Sequence, residues 1–321
     1  VVHPPQTPLA ESLARGKPIL LDGGLATELE AQGFDLDTPL WSAELLLKEP
    51  QAIRAAHRAF LKAGAEVLIT ASYQLSAMGL ERRGTDGGLL EELLVASVRL
   101  AVQAREEGAA MEGSRCSPVL VAASLGPFGA ALADGSEYTG DYGIGDAALS
   151  DFHRGRLALL DRSGADILAC ETIPSLQEAR VLCDLLDGVA TPAWISFSCA
   201  DGVRLHDGSS IRAAAELFAE HPRVFAVGVN CTAPRFITAI IDVLKDAAPK
   251  KAVVVYPNSG ESFEAETGIW HGTVSSSECG RAALEWYARG ATLIGGCCRM
   301  GPQHIRTMAQ SLWQEKDAGE V

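Results

Sequence analysis

Lys62–Thr70, KAGAEVLIT, and Arg162–Cys170, RSGADILAC, share one plan, and that plan decides the fold. A basic residue comes first, where the macrodipole favours a cation at a helix C-terminus. Glycine follows in the place of a left-handed cap. A short run of leucine and β-branched residues comes next, continuous rather than alternating. Such a run suits a strand buried on both faces of a parallel sheet. Arg289–Gly296, RGATLIGG, repeats the plan one residue shorter before the glycine.

Working outward with this template gives eight candidate strands: Ile19–Asp22, Val67–Ser72, Val119–Ser124, Asp166–Glu171, Ala193–Ser198, Val224–Asn230, Ala252–Pro257 and Thr292–Gly296. Helical spacing fills the intervals. The predicted helices are Pro50–Ala63, Leu89–Glu107, Ser150–Ser163, Ser175–Leu186, Ser210–Glu220, Pro234–Ala247, Ser276–Arg289 and Pro302–Gln314. Ser175 with Glu178 three residues on is a capping-box pattern. Pro302 suits a first helical turn, where its missing N–H is not needed. Strands alternating with helices predict an α/β fold, a single (β/α)8 TIM-type barrel over residues 1–321 with short irregular tails. An open doubly wound sheet is the competing topology. Two segments fall outside the repeat. Gly24–Pro50 has room for an extra short helix, with Pro39–Ser42 packing over a barrel end. Leu125–Leu149 is rich in glycine and carries Tyr138 and Tyr142, which favours an ordered flap over disorder.

The 321 residues include 41 acidic and 27 basic side chains, a formal charge of −14. That balance, with no basic cluster, argues against a nucleic-acid partner. Hydrophobic residues make up 47 %, enough for a large core. No window is apolar for the ~18 residues a membrane span needs, so no membrane partner is expected. The N-terminal stretch VVHPPQTPLAESLARGKP lacks the pattern of a secretory signal. The eight cysteines are therefore read as reduced thiols or metal ligands of a cytoplasmic protein.

In a barrel of this kind the chemistry lies at the C-terminal ends of the strands. Those positions hold Asp22-Gly23-Gly24, Thr70 and Ser72, Cys170-Glu171-Thr172, Asn230-Cys231 and Cys297-Cys298. Cys116, Cys170, Cys183, Cys199 and Cys279 read as small buried hydrophobes. Cys231, Cys297 and Cys298 read differently, because all three fall at the rim. Neighbouring side chains on a strand point to opposite faces, so Cys297 and Cys298 can share a site only past an irregular strand end. Gly295 and Gly296 allow one. Three thiolates on tetrahedral Zn2+, one ion per chain, leave one position open. A zinc so rich in sulfur is a poor Lewis acid for hydrolysis but holds a fourth thiol as thiolate. That suits alkyl transfer to a substrate thiol. A vicinal disulfide is the competing reading and leaves Cys231 unexplained.

Asp22 and Glu171 read either as structural carboxylates or as a pair binding a substrate ammonium. Closure of the barrel would bring Asp22 beside the cysteine pair. Gly23 and Gly24 allow backbone N–H groups to approach an anion. Together these describe an amino-acid thiol as substrate. His153, His206 and His304 read as surface or structural residues.

LLDGGLATELE (Leu20–Glu30), ADGSEYTGDY (Ala133–Tyr142), GADILACETIP (Gly164–Pro174), GVNC (Gly228–Cys231) and GGCCR (Gly295–Arg299) closely resemble the homocysteine S-methyltransferase family. The resemblance runs from about Pro18 to Leu312. It implies a (β/α)8 barrel with zinc on Cys231, Cys297 and Cys298. It also implies contacts from Asp22 and Glu171 to the homocysteine amino group, and from backbone near Gly23 and Gly24 to its carboxylate; Thr70 joins the expected substrate-binding set. The length and the ETIP and GSEYTGDY segments resemble the compact members, whose methyl donor is S-methylmethionine or S-adenosylmethionine. Betaine-dependent members are the alternative within the family. A non-enzymic thiol redox or metal-binding protein is the alternative of another class. Sulfonium donors are cations, so Tyr138, Tyr142 and Trp41 are candidates for cation–π contact or for packing the flap. The expected assembly is a monomer or weak oligomer.

Overall fold

The computed structural model describes residues 7–36, 44–82, 84–110, 118–260, 262–264, 269–271 and 276–314. Trp41, the Pro39–Ser42 turn and Cys116 lie outside them.

Eight parallel strands form one sheet: β1 Ile19–Leu20, β2 Val67–Ile69, β3 Leu120–Leu125, β4 Ile167–Ile173, β5 Ala193–Phe197, β6 Val224–Asn230, β7 Ala252–Tyr256 and β8 Leu293–Ile294. Each pairs with its sequence neighbour, and β8 pairs with β1. A parallel bridge between Leu21 and Val67 closes the circle. Asp22 N donates to Val67 O (3.0 Å) and Glu66 N to Leu20 O (2.7 Å) on either side of it. The fold is the (β/α)8 barrel the alternation predicts, not an open sheet.

The repeated template has a physical basis at each of its positions. Gly64, Gly164 and Gly290 have φ of +120°, +84° and +111°, where a side chain would be strained. The acid after the glycine has a task the sequence reading missed. Glu66 Oε2 accepts from Leu20 N (3.1 Å) and Asp166 Oδ2 from Val121 N (2.8 Å), so each pins the preceding strand. Arg15 and Arg105 hold the same two carboxylates, at 2.9 and 2.8 Å.

Both faces of the strands are covered, which explains the continuous apolar runs. Ile19, Leu21, Val67, Leu120, Ala122, Ile167, Ala169 and Ala226 point inward. Trp194 and Tyr256 fill the centre, their rings 6.1 Å apart and steeply inclined. The alternate residues, such as Leu68, Val121, Leu168, Ile195, Val227 and Val253, face the surrounding helices. Cys170 is among them, as expected. Fully burying a large side chain in such a core contributes roughly 1.5–3 kcal/mol.

Several boundaries depart from expectation. From residue 7 the N-terminal segment is regular: Pro8–Ala14 is a helix, capped by Thr7, and its Leu9 packs into the barrel interior. The helix expected over Ser150–Ser163 starts at Asp146, and the one expected over Ser210–Glu220 runs only over Ile211–Glu216. The flap contains a short helix, Phe128–Leu132, and a 3-10 turn, Ser136–Tyr138. A small antiparallel hairpin, Ser262–Glu264 with Ile269–His271, follows β7 and has no counterpart in the predicted pattern. No helix among the described residues is long and apolar enough to cross a membrane.

Candidate metal and substrate site

The three rim cysteines converge because two strands end irregularly. β6 ends at Asn230, and Cys231 then turns at φ +45°, a left-handed conformation rare for a side-chain-bearing residue. β8 ends at Ile294, so Cys297 and Cys298 lie beyond the ladder. Cys297 N donates to Pro257 O (2.8 Å) and Met300 N closes a tight turn onto Cys297 O (3.1 Å). Arg299, at φ +66°, completes the turn, and its N–H donates to Thr27 Oγ1 (2.9 Å). The loop after β1 packs hard against this turn: Gly24 N donates to Met300 O (2.9 Å). A methyl group on Gly24 would lie 2.7 Å from Cys297 O. A methyl group on Gly23 would run into Met300 O, so Gly23 and Gly24 are both required by close backbone approach.

The Sγ atoms of Cys231, Cys297 and Cys298 lie within 4.8 Å of one another. Cys231 and Cys298 are 3.5 Å apart, Cys297 and Cys298 4.0 Å. Zn–S bonds of about 2.3 Å in a tetrahedron place sulfur atoms roughly 3.8 Å apart, close to the two separations at Cys298, so the donor set suits zinc. All three are free thiols in this structure, and Cys297 and Cys298 are not bonded to each other. Hydrogen bonds from Cys231 and Cys297 hold Cys298 well below the usual thiol range. Asn230 Nδ2 points toward Cys297 Sγ at 4.0 Å.

Asp22 lies fully buried beside this turn, with its carbonyl accepting from Gly296 N (3.1 Å). This is the proximity that barrel closure predicts. Its Oδ2 accepts from Ile69 N (2.9 Å), while Oδ1 is buried with no hydrogen-bond partner. Burial pushes the carboxyl well above the usual carboxylate range, and the charge of Glu171 adds to the push. Glu171 is raised to about 7, again by burial, with hydrogen bonds from Ser124 and Tyr256 opposing. Two buried carboxyls both pushed up by burial, one with an empty acceptor, call for a cationic hydrogen-bond donor.

A cavity of about 610 Å³ opens above these groups. Gly23, Gly24, Thr70, Glu171, Cys231, Cys297 and Cys298 all line it. Asp22 is the one expected site residue that lies behind the lining. The Gly24 N–H is committed to Met300, so it is unavailable to a substrate anion; Leu25 and Ala26, in the first turn of the next helix, line the cavity beside it. Thr70 Oγ1 pairs with Ser72 Oγ (2.7 Å) and accepts from Ser124 N (3.0 Å), so its first duty is to the wall.

That wall is a belt of hydrogen bonds that the motif reading did not assign. Ser72 Oγ donates to Ser124 O (2.7 Å), and Ser124 Oγ to Glu171. Asn230 Oδ1 accepts from Thr172 N (2.8 Å) and Ser196 Oγ (2.8 Å), and its Nδ2 donates to Thr172 Oγ1 (2.7 Å). Ser196 Oγ pairs with Tyr256 OH (2.6 Å), which also accepts from Trp194 Nε1 (3.1 Å). The legible signal was a set of polar residues, Ser124, Ser196 and Asn230, inside otherwise apolar strand runs.

The flap is anchored by a second buried group. Glu178 was expected to complete a capping box with Ser175. Ser175 Oγ does accept from Glu178 N (3.2 Å). The carboxylate instead reaches across: Oε1 accepts from Phe128 N (2.6 Å) and meets His153 Nε2 (2.7 Å), and Oε2 accepts from Tyr142 OH (3.0 Å). Local pattern lost to tertiary context, because the flap supplies buried donors that the Ser175 N–H cannot match. Tyr142 is therefore a packing residue, against Phe128 at 5.3 Å, and not a lining residue of the cavity. Tyr138 does line the cavity, its ring 5.8 Å from His206. His153 is structural, as expected, but fully buried.

Fold and thiol cluster define the class: a (β/α)8 barrel with three thiols at its strand-end rim that could hold a metal ion. The sequence pattern of the homocysteine S-methyltransferase family matches residues 19–312. Homocysteine S-methyltransferase 4 of Zea mays is 47 % identical over 305 residues, covering 91 % of this chain and 89 % of that protein. Homocysteine S-methyltransferase YbgG of Bacillus subtilis (strain 168) is 44 % identical over 294 residues, covering 91 % and 93 %. The crystal structure of the homocysteine methyltransferase MmuM from Escherichia coli in its metallated form superposes with a TM-score of 0.85 at 41 % identity, over 94 % of this chain and 99 % of that one. The chain belongs to the homocysteine S-methyltransferase family, and it is a methyltransferase. Membership sets aside the reading as a non-enzymic thiol protein.

Proposed function

We propose that the protein transfers a methyl group from a sulfonium amino acid, S-methylmethionine or S-adenosylmethionine, to the thiol of L-homocysteine, yielding methionine. The observation that carries the reading is the adjacency of three free thiols at metal-binding separations to a buried carboxylate pair with an unpartnered oxygen. Cys231, Cys297 and Cys298 would hold Zn2+, which would supply the Lewis acidity that stabilises a substrate thiol as thiolate at neutral pH.

The rest of the work falls to the chain. Asp22 and Glu171 bind the homocysteine ammonium, which supplies the hydrogen bond that Asp22 Oδ1 lacks. An ammonium there also returns both carboxyls toward the ionised form, since an opposite charge favours it. Backbone of Gly23 and the helix turn at Leu25 faces the substrate carboxylate. The flap covers the cavity and excludes water. Alignment of the attacking sulfur, the methyl carbon and the leaving sulfur supplies a large part of the rate. The belt through Asn230 and Thr172 keeps that alignment, because it ties the strand end carrying Glu171 to the one carrying Cys231.

The test is a donor panel. Zinc-loaded protein and homocysteine are incubated with S-methylmethionine, S-adenosylmethionine or glycine betaine, methionine is followed by mass spectrometry, and bound metal is measured in parallel. Methionine formed from a sulfonium donor by metal-containing protein is expected. Turnover by metal-free protein, or with betaine alone, refutes the reading.

A further inference from the structure

Asp22 Oδ1 is not the sole unsatisfied acceptor at this site. Glu137 Oε2 and Gln74 Oε1 are also buried without a hydrogen-bond partner, and both residues line the same cavity. An unpaired acceptor shut away from water costs on the order of 1–3 kcal/mol, so such groups mark where a ligand is to donate. Both are held in place. Glu137 sits in the turn Ser136–Tyr138, whose backbone packs directly on Gly129. Gln74 follows Tyr73, whose carbonyl accepts from Gly126 N (3.2 Å) and Arg156 Nη2 (3.0 Å). Glu137 is also close enough to Cys298 for their charges to interact.

The site thus carries two places with an empty acceptor: Asp22 Oδ1, beside Glu171 at the barrel rim, and Glu137 Oε2 with Gln74 Oε1, from the flap and the loop after β2. One amino-acid ligand has one ammonium and satisfies one of them. We infer that Glu137 and Gln74 receive the α-ammonium of the methyl donor, which makes the donor an amino acid and not a bare sulfonium or a quaternary amine. A sulfonium centre has no N–H, and neither does the fully methylated nitrogen of betaine. Neither can satisfy an acceptor that needs a hydrogen bond. The inference rests on the methyltransfer reading above and adds the recognised group.

Glu137→Gln tests it, since the amide keeps the shape and removes the charge. Steady-state rates are measured at saturating homocysteine with S-methylmethionine and with 3-(dimethylsulfonio)propanoate, a sulfonium lacking the amino group; if not turned over, the latter is scored as a competitive inhibitor. The variant is expected to lose about tenfold in kcat/KM for S-methylmethionine, mostly through KM, the size of one partly solvated charge pair. Its KM for homocysteine and its response to the deamino compound should match wild type. Glu137→Asp should recover part of the loss. Equal loss with both sulfonium compounds overturns the inference, because the carboxylate then acts on the sulfonium charge or on the fold. So does a Glu137→Gln enzyme indistinguishable from wild type. If wild type transfers methyl groups from no sulfonium at all, the methyltransfer reading itself falls.

Discussion

Asn230 is the residue whose removal most directly tests the link between the hydrogen-bond belt and the site. Its side chain makes three bonds at 2.7–2.8 Å, two of them to Thr172 and one to Ser196. Thr172 has φ +61°, a strained conformation for a threonine, and the Asn230 bonds hold it. Asn230→Ala leaves the Thr172 N–H buried and unpaired, which costs about 1–3 kcal/mol, and removes two further bonds worth about 1 kcal/mol each net. Ser196 recovers part of this through Tyr256. The expected loss is about 3 kcal/mol, read by urea unfolding followed by circular dichroism. In a chain of this size that corresponds to a midpoint lower by roughly 6 °C. Because Glu171 and Cys231 are the neighbours of the residues released, metal retention and homocysteine KM should worsen together. A stability change below about 0.5 kcal/mol, a level typical of surface substitutions, would refute the reasoning.

Cys298→Ser should abolish stoichiometric metal after gel filtration while leaving the circular dichroism spectrum intact, since Cys298 lies in a turn beyond β8; wild-type metal content in this variant would contradict the assignment. His57 is fully buried with both ring nitrogens unpartnered, and burial lowers its pKa from 6.5 to about 4. The unfolded chain binds that proton first as pH falls, so the contribution is complete above about 6.5 and drains away toward 4, up to about 3 kcal/mol. His57→Leu should flatten the stability profile across that window relative to wild type; parallel profiles would show that His57 is not the group responsible. Gly24→Ala forces Cys297 or Thr27 to shift and should cost about 1–3 kcal/mol with weaker metal retention, measured by thermal unfolding and metal content. Tyr142→Phe removes the bond to Glu178 and should cost about 1 kcal/mol, with faster amide exchange across 128–142 than in wild type; unchanged exchange there would mean the flap is held by packing alone.

The barrel was legible in the sequence because its signals are local and repeated. Gly64, Gly164 and Gly290 mark the helix ends through a backbone conformation that favours glycine, and the unbroken apolar runs after them mark strands covered on both faces. The order of strands then put Asp22, Glu171, Cys231, Cys297 and Cys298 at one rim, because a closed barrel allows few alternatives. The glycine pair before Cys297 likewise announced an irregular strand end.

Tertiary structure alone decided the rest. Glu178 satisfies a local capping pattern yet turns to Phe128, His153 and Tyr142, because a buried carboxylate takes the strongest donors in reach wherever the chain brings them from. Tyr142 and Tyr138 lie close together in one loop, but one packs and the other lines the cavity, a difference of side-chain direction that no residue type encodes. The partnership of Asn230 with Thr172 spans two strands, and the unsatisfied oxygens of Asp22, Glu137 and Gln74 are defined by what fails to reach them. Sequence determined which groups are present and on which strand ends. Satisfaction of a buried polar atom is a property of three-dimensional neighbours, so only the folded chain determined which of those groups are spent on the protein and which are left for a substrate.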